Sequence, residues 1–290
     1  MPHPGWQNFG FDGIGTRWEI STPAPLAPAL RAGLLAEVER YDSTWSRFRA
    51  DSLVTRVSVT PGQYGLPAEA SGLAALYRQL YALSGGAMTP LIGKSLEQLG
   101  YDPQYSLRPH GAAIAPPAWD DVLEWHGTSL TTTAPVVLDI GAAGKGQLVD
   151  LLAGQLRSHG VPDFFIDASG DLLNGGRQPV QVALEHPYDA TKAIGTVPLG
   201  SGALCASASN RRAWGDGLHH VLDGTTGAPV RTVVATWALA DSAMEADALA
   251  TALFLVPAAD LEQHFRFSWL KVFSNGSAEY SAAFEGALFT

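Results

Sequence analysis

The chain has 290 residues, 46 % of them hydrophobic and 16 % charged, and its 28 acidic against 18 basic side chains leave a formal charge of −10. This balance excludes a disordered chain and a general binder of phosphate backbones, so no nucleic acid partner is expected. An anionic ligand would have to be met locally, by a cation, a helix N-terminus or a few placed basic groups. The single cysteine, Cys205, excludes an internal disulfide and a cysteine-built zinc site, and reads as a small core residue.

The start, Met1-Pro-His-Pro-Gly-Trp-Gln-Asn, carries no basic segment followed by an apolar one. No apolar run reaches 18 residues, so no membrane span and a cytoplasmic location are expected. Along the chain, weak alternation over residues 15–21 predicts an opening strand. Leu30, Leu34, Leu35, Val38, Tyr41 and Trp45 recur at helical spacing and predict a helix over 26–48. A second helix over 68–84 is stopped by Gly85-Gly86. Residues 95–134 are mixed, with short strand-like pieces. A buried strand over 136–140 should enter a glycine-rich turn, 141–146, and a helix over 147–159. Further strands are expected at 163–168, 180–184, 195–199 and 233–239, a helix at 242–255 stopped by Pro257, and edge strands over 265–273. Strands and helices alternate without the regular order of a doubly wound sheet, which favours an α+β class. Without a repeat or low-complexity linker, residues 1–290 read as one domain.

Three groups of residues carry possible chemistry. Val137-Leu-Asp139-Ile-Gly141-Ala-Ala-Gly144-Lys145-Gly146 passes from strand to helix. Its glycines, Lys145 and the helix N-terminus could cradle a phosphate, or the segment is a tight connection with an exposed lysine. It matches neither a Walker A loop nor a dinucleotide fingerprint. In Ser242-Ala-Met-Glu-Ala-Asp247-Ala-Leu-Ala-Thr251 the carboxylate and the hydroxyl lie four apart, on one helix face. Among alanine, leucine and methionine, a buried Asp247 would need a partner, and Mg²⁺ would suit it; the alternative is a solvated face. Ser242 with Glu245 fits a helix-capping pair, which makes Glu245 a cap rather than a ligand. Ser207-Ala-Ser209-Asn210-Arg211-Arg212 offers hydroxyls and a basic pair that could meet a phosphate or be solvated, and His219-His220 precede Asp223 and a Gly224–Gly227 turn.

Taken together, the segments resemble the family of FAD:protein FMN transferases of the ApbE type, over about residues 15–256. Gly15-Thr16-Arg17-Trp18 resembles its opening. Asp42-Ser-Thr-Trp-Ser46-Arg47-Phe48-Arg49 resembles its Ser-Arg-Phe segment. The glycine turn, running on to Val149-Asp150, resembles Asp-Leu-Gly-Gly-Ile-Ala-Lys-Gly. Asp167-Ala-Ser169-Gly170-Asp171 resembles Gly-Gly-Asp. His220-Val-Leu-Asp223 with Thr226-Gly227 and Pro229-Val230 resembles His-Ile-x-Asp-Pro-x-Thr-Gly-x-Pro-Val. Ala246-Asp247-Ala-Leu-Ala-Thr251 resembles its Asp-Ala-x-x-Thr element. The chain departs from the family at Ile14 (a methionine there), at Met88-Thr89-Pro90 (Phe-Asp-Pro there) and at Asp223-Gly224 (Asp-Pro there).

The resemblance implies an ApbE-like α+β fold of two interleaved α/β lobes with a nucleotide site between them. It implies FAD as substrate, Mg²⁺ as cofactor and transfer of FMN to a threonine of an acceptor flavoprotein, within an Asp-x-x-Thr-type motif, with release of AMP. Some members hydrolyse FAD to FMN and AMP instead, and a catalytically weak FAD-binding protein is a third possibility. Metal ligands carry over onto Asp247, Thr251 and the carbonyl of Ala142. FAD contacts carry over onto Ile14, Gly86, Ala87, Met88, Asp139, Lys145 and Val221. Lys145 and the 141–146 backbone would steady the pyrophosphate, and His220, oriented by Asp223, would activate the acceptor hydroxyl.

Overall fold

In the computed structural model, which describes residues 5–289, eight strands form one antiparallel sheet in the order in which they occur along the chain. They are β1 (Gln7–Gly13), β2 (Thr16–Thr22), β3 (Phe165–Asp167), β4 (Asp171–Asn174), β5 (Gly202–Ala208), β6 (Val233–Ala240), β7 (Ser268–Phe273) and β8 (Ala278–Tyr280). The α+β expectation holds. The N-terminal stretch read above for export signals begins on residues 1–4, outside the described residues. Among the described residues no helix is long and apolar enough to cross a membrane.

Successive side chains of a strand point to opposite faces, and this sheet is covered on both. Ile166, Leu173, Ala203, Cys205, Ala238 and Trp269 join the core beneath the helices. Their chain neighbours Phe165, Leu172, Leu204, Trp237 and Leu270 pack on the other side. There they meet Val180, Val182, Leu184, Val197 and Leu199 of a three-stranded sheet built from Val180–His186, Asp189–Leu199 and Ala287–Leu288. Two-sided burial explains why residues 233–239 read as a nearly continuous apolar run rather than an alternating one. It also corrects the edge position expected for 265–273: β7 lies between β6 and β8, and β8 forms the edge.

Long insertions between strands carry the helices. Between β2 and β3 come α1 (Pro28–Trp45), α2 (Ala70–Leu83) and α3 (Gly144–Ser158), and between β6 and β7 comes α4 (Ala243–Ala252). Helix α3 starts at Gly144, so Lys145 and Gly146 belong to its first turn rather than to the preceding loop. The expected strand over 136–140 does not form. Val136, Leu138 and Ile140 are buried in alternation, but β2 and β4 already occupy both sides of β3, and the Asp139 N–H donates instead to the Pro90 carbonyl at 2.8 Å. The periodicity there reports burial, not pairing.

Helix α4 lies close to the sheet because small residues meet small ones: Ala246, Ala250, Ala203, Cys205 and Ala238 share one core. Its first turn is fully capped. The Asp150 carboxylate accepts from the N–H groups of Ala243 and Met244, both at 2.9 Å, and Ser242 Oγ accepts from the Glu245 N–H at 3.2 Å. Gly146 of α3 makes the approach possible, since a Cβ there would fall well inside contact distance of the Ala243 carbonyl oxygen.

Candidate functional site

A cleft of about 350 Å³ opens where the ends of α3 and α4 meet the insertion between β5 and β6. Asp247 is only 5 % exposed and lies on its floor, which removes the solvated-face alternative. Asp247 Oδ2 accepts from the Gly146 N–H at 2.9 Å. That N–H is therefore committed to a carboxylate, and the expected role of the whole 141–146 backbone in holding a pyrophosphate narrows to the residues before it. One turn along α4, Thr251 Oγ1 stands 3.1 Å from Ser207 Oγ of β5. Both hydroxyls and Ala142 line the same cleft.

A second carboxylate shares the floor. Asp171 is fully buried at the start of β4, after a turn in which Ser169 and Gly170 both take positive φ. Lys145 Nζ is 3.2 Å from Asp171 Oδ2 and donates to the Ser169 carbonyl at 3.3 Å, so the lysine is tied down rather than free. Neither Asp171 oxygen accepts a well-aligned hydrogen bond. Burial pushes the Asp247 carboxyl well above its ordinary range, and the neighbouring Asp171 pushes it further. Burial likewise raises Asp171, against the pull of Lys145. When ionised, two buried carboxylates beside one half-buried ammonium leave an excess of negative charge that a divalent cation would offset. Among the described residues no three His, Cys, Asp or Glu side chains converge as a metal cage. The donors at hand are carboxylate, hydroxyl and carbonyl oxygens, the kind of set Mg²⁺ takes when waters and substrate phosphates complete its shell.

His220, Val221 and Met88 form another part of the wall. His220 leans on the Arg212 backbone, and its Nδ1 is buried without a hydrogen-bond partner. Desolvation, followed by the Arg212 charge, pushes its imidazole down to about 3. Asp223 does not orient it. Asp223 Oδ1 accepts from Thr225 N–H at 2.8 Å and Thr225 Oγ1 at 2.7 Å, closing its own turn, as an aspartate at the head of a turn commonly does. Arg211 and Arg212 both line the cleft, and Arg211 also pairs with Glu185 at 2.9 Å.

Beyond the glycine turn lies a second cavity of about 320 Å³, lined by Ile14, Arg47, Phe48 and Tyr105 and sharing Asp139, Gly141, Lys145, Tyr101 and Arg212 with the cleft. Ile14 sits here, at the tip of the β1–β2 hairpin with φ of 42°, an unusual backbone for a β-branched residue. Asp139 accepts from Arg47 Nε and from the Gly141 N–H, both at 2.7 Å. Burial alone would raise its carboxyl, but the Arg47 charge and these bonds hold it below the ordinary value.

Of the residues singled out by sequence, Met88, Asp139, Ala142, Lys145, His220, Val221, Asp247 and Thr251 meet around the cleft. Gly86 and Ala87 do not line it; their carbonyls back the 223–227 turn, where the Gly224 N–H donates to Ala87 O at 2.8 Å. Arg47, Asp171 and Ser207 are wall residues without an assigned role from sequence. The Ser-Gly-Asp turn was a usable pointer to Asp171, and the hydroxyls of the 207–212 segment were one to Ser207, which does line the cleft.

Two of the departures from the family pattern touch each other. A Cβ at Gly224 would lie 2.7 Å from Thr89 Cγ2, 2.7 Å from Gly86 O and 2.8 Å from Ala87 O. Thr89 and Gly224 are thus one packing solution. Gly224→Ala should destabilise the protein by about 1–3 kcal/mol through overpacking, read as a lowered Tm; an unchanged Tm would show that the turn can give way.

The ApbE family profile matches residues 14–268. A protein of Rhodobacter capsulatus named FAD:protein FMN transferase is 33 % identical over 201 residues, 63 % of this chain, and the match spans only 38 % of that relative's own length. A Vibrio cholerae protein of the same name is 25 % identical over 241 residues, covering 76 % of this chain and 71 % of the relative. The crystal structure of the ApbE protein from Thermotoga maritima superposes with a TM-score of 0.80 at 22 % identity, covering 97 % of this chain and 99 % of that one, a likeness of fold.

Proposed function

From the premise that the chain belongs to the ApbE family, we propose that it is a Mg²⁺-dependent FAD:protein FMN transferase acting on a threonine hydroxyl of a flavoprotein. The observation that carries the reading is the cleft floor, where the buried Asp247 and Asp171 and the half-buried Lys145 lie beside Thr251, Ser207 and Ala142. Asp247, Thr251 and the Ala142 carbonyl would hold the metal, which when bound supplies Lewis-acid polarisation of the phosphoryl oxygens and neutralises leaving-group charge.

The chain's own groups do the rest. The two cavities meet at Gly141 and Lys145, so the diphosphate of FAD would cross there with one ring system on either side. Lys145, fixed by Asp171 and Ser169, would present its charge to the bridging region, and Arg212, which lines both cavities, would add a second cation. The acceptor hydroxyl attacks the FMN phosphorus, the bond from that phosphorus to the AMP oxygen breaks, and the hydroxyl proton passes to His220. With water as the attacking group the same steps release FMN.

Product analysis tests the reading: FAD with Mg²⁺, with and without an acceptor domain bearing an Asp-x-x-Thr motif. Acceptor gaining the mass of FMN with one AMP per transfer is expected. Steady FMN and AMP in equal amounts without acceptor would make the chain a hydrolase. Absence of both products, despite FAD binding, would leave a flavin-binding protein and overturn the enzymatic reading.

A further inference from the structure

Arg47 takes no part in the reaction above, yet its side chain is only 4 % exposed. Its guanidinium lies over the ring of Phe48, 4.2 Å from the centroid, and 5.0 Å from that of Tyr101. Nε makes the bond to Asp139 Oδ2, while Nη1 and Nη2 are buried without hydrogen-bond partners. A buried arginine that makes one directed bond and stacks with the rest of its plane is placed for that bond. Asp139 is thereby pinned at three points. Its N–H donates to Pro90 O, one carboxylate oxygen accepts from Arg47, and the other accepts from the Gly141 N–H. Gly141 is matched to this arrangement, since a Cβ there would stand 2.8 Å from Asp139 Oδ1. Two residues on, the Ala143 and Gly144 N–H groups return to Ile140 O at 3.0 and 2.7 Å, and α3 begins with Lys145 in its first turn.

We propose that Arg47 is a positioning residue for the nucleotide turn: through Asp139 it fixes Gly141 and Ala142, and so the placement of the Ala142 carbonyl and the Lys145 ammonium at the junction of the two cavities. The inference rests on the FAD-binding reading for its consequence, but its structural content stands apart from it. Without the guanidinium the largely buried Asp139 carboxylate loses its ion-pair partner and keeps only the weaker pull of Arg212, so that it takes a proton or turns away. Either change loosens the Gly141 N–H. Lysine is not an equivalent, because it lacks the planar face that lies on Phe48 and Tyr101 while donating sideways.

The test uses the full chain as wild type, Arg47→Met, Asp139→Asn and the double variant, with two readouts. Amide hydrogen exchange of the 139–145 segment should accelerate about tenfold or more in Arg47→Met, with exchange in the β5–β6 pair unchanged. FAD titration by flavin fluorescence with Mg²⁺ should show about tenfold or more weaker binding in Arg47→Met and in Asp139→Asn. Because one residue acts through the other, the double variant should bind no more weakly than Asp139→Asn. If Arg47→Met fails to fold, the double variant, which carries neither charge, is compared with Asp139→Asn: equal affinity and exchange support the proposal, and a further tenfold loss overturns it. It is also overturned by a lowered Tm with unchanged exchange and FAD affinity, or by losses that multiply in the double variant. A wild type that does not bind FAD would defeat the functional reading, while the exchange experiment would still decide the role of Arg47.

Discussion

Asp247→Asn should cut Mg²⁺-dependent turnover of FAD about a thousandfold and leave the protein folded. A bound cation contributes several kcal/mol of charge stabilisation, and each ~1.4 kcal/mol is tenfold in rate. Asparagine keeps an oxygen for the Gly146 N–H, which now donates to Asp247 Oδ2 at 2.9 Å, so the contact between α3 and α4 persists. It removes the charge that Asp171 opposes, and the sign of the stability change follows. The folded-state carboxyl of Asp247 titrates above its unfolded value, so its ionisation weakens the metal-free fold as pH rises. Metal-free Asp247→Asn should therefore match or exceed the wild-type Tm at neutral pH. Wild type should gain Tm on adding Mg²⁺, by linkage to binding, and the variant should not. Alanine is the poorer test because it also orphans the buried Gly146 N–H, at about 1–3 kcal/mol. Undiminished turnover in Asp247→Asn would remove this carboxylate from the metal site.

How much of this was legible beforehand differs residue by residue. Helices α1 and α2 are read almost to their ends, because each buries one stripe and exposes the other. The α4 start is equally readable, since Ser242 caps it by accepting from the Glu245 N–H. Strands β4 and β5 escape. Asp171–Asn174 is four residues buried throughout, and Gly202–Ala208 is mostly small residues, so neither carries an alternating signal. The pairing of Asp247 with Thr251 follows from helical spacing alone. Its meeting with Asp171 and Lys145 does not, because Asp247 lies 76 and 102 positions from them in sequence and their shared place in the cleft depends on how three elements pack. The glycine turn shows the limit most clearly. Its composition suggests a phosphate cradle, yet Gly146 serves helix packing and the Gly141 N–H serves a bond to Asp139, while Ala142 and Lys145 line the cleft beside them.

His220→Asn should lower transfer by about 10²–10⁴-fold, the range for loss of a general base, and its pH signature separates that role from a structural one. With its folded-state value pushed down to about 3, His220 is uncharged in the native protein wherever the unfolded chain, near 6.5, begins to protonate. The stabilisation is present in full above pH 6.5 and is lost as pH falls toward 3, at up to about 1.4 kcal/mol per pH unit. Tm measured from pH 7 to 4 should fall less steeply in His220→Asn than in wild type; parallel curves would mean that His220 is not held neutral. A base this weak in the free enzyme is ill matched to its task. However, one cause of the depression is the Arg212 charge. A dianionic diphosphate bound between Lys145 and Arg212 would offset that charge, and the imidazole would regain part of its basicity with substrate in place. Consequently kcat/KM, which reports the free enzyme, should show no inflection from His220 between pH 5 and 8, whereas kcat, which reports the complex, should fall on the acid side at a pH well above 3. If both profiles bend at the same pH, and the bend persists in His220→Asn, the proton goes elsewhere.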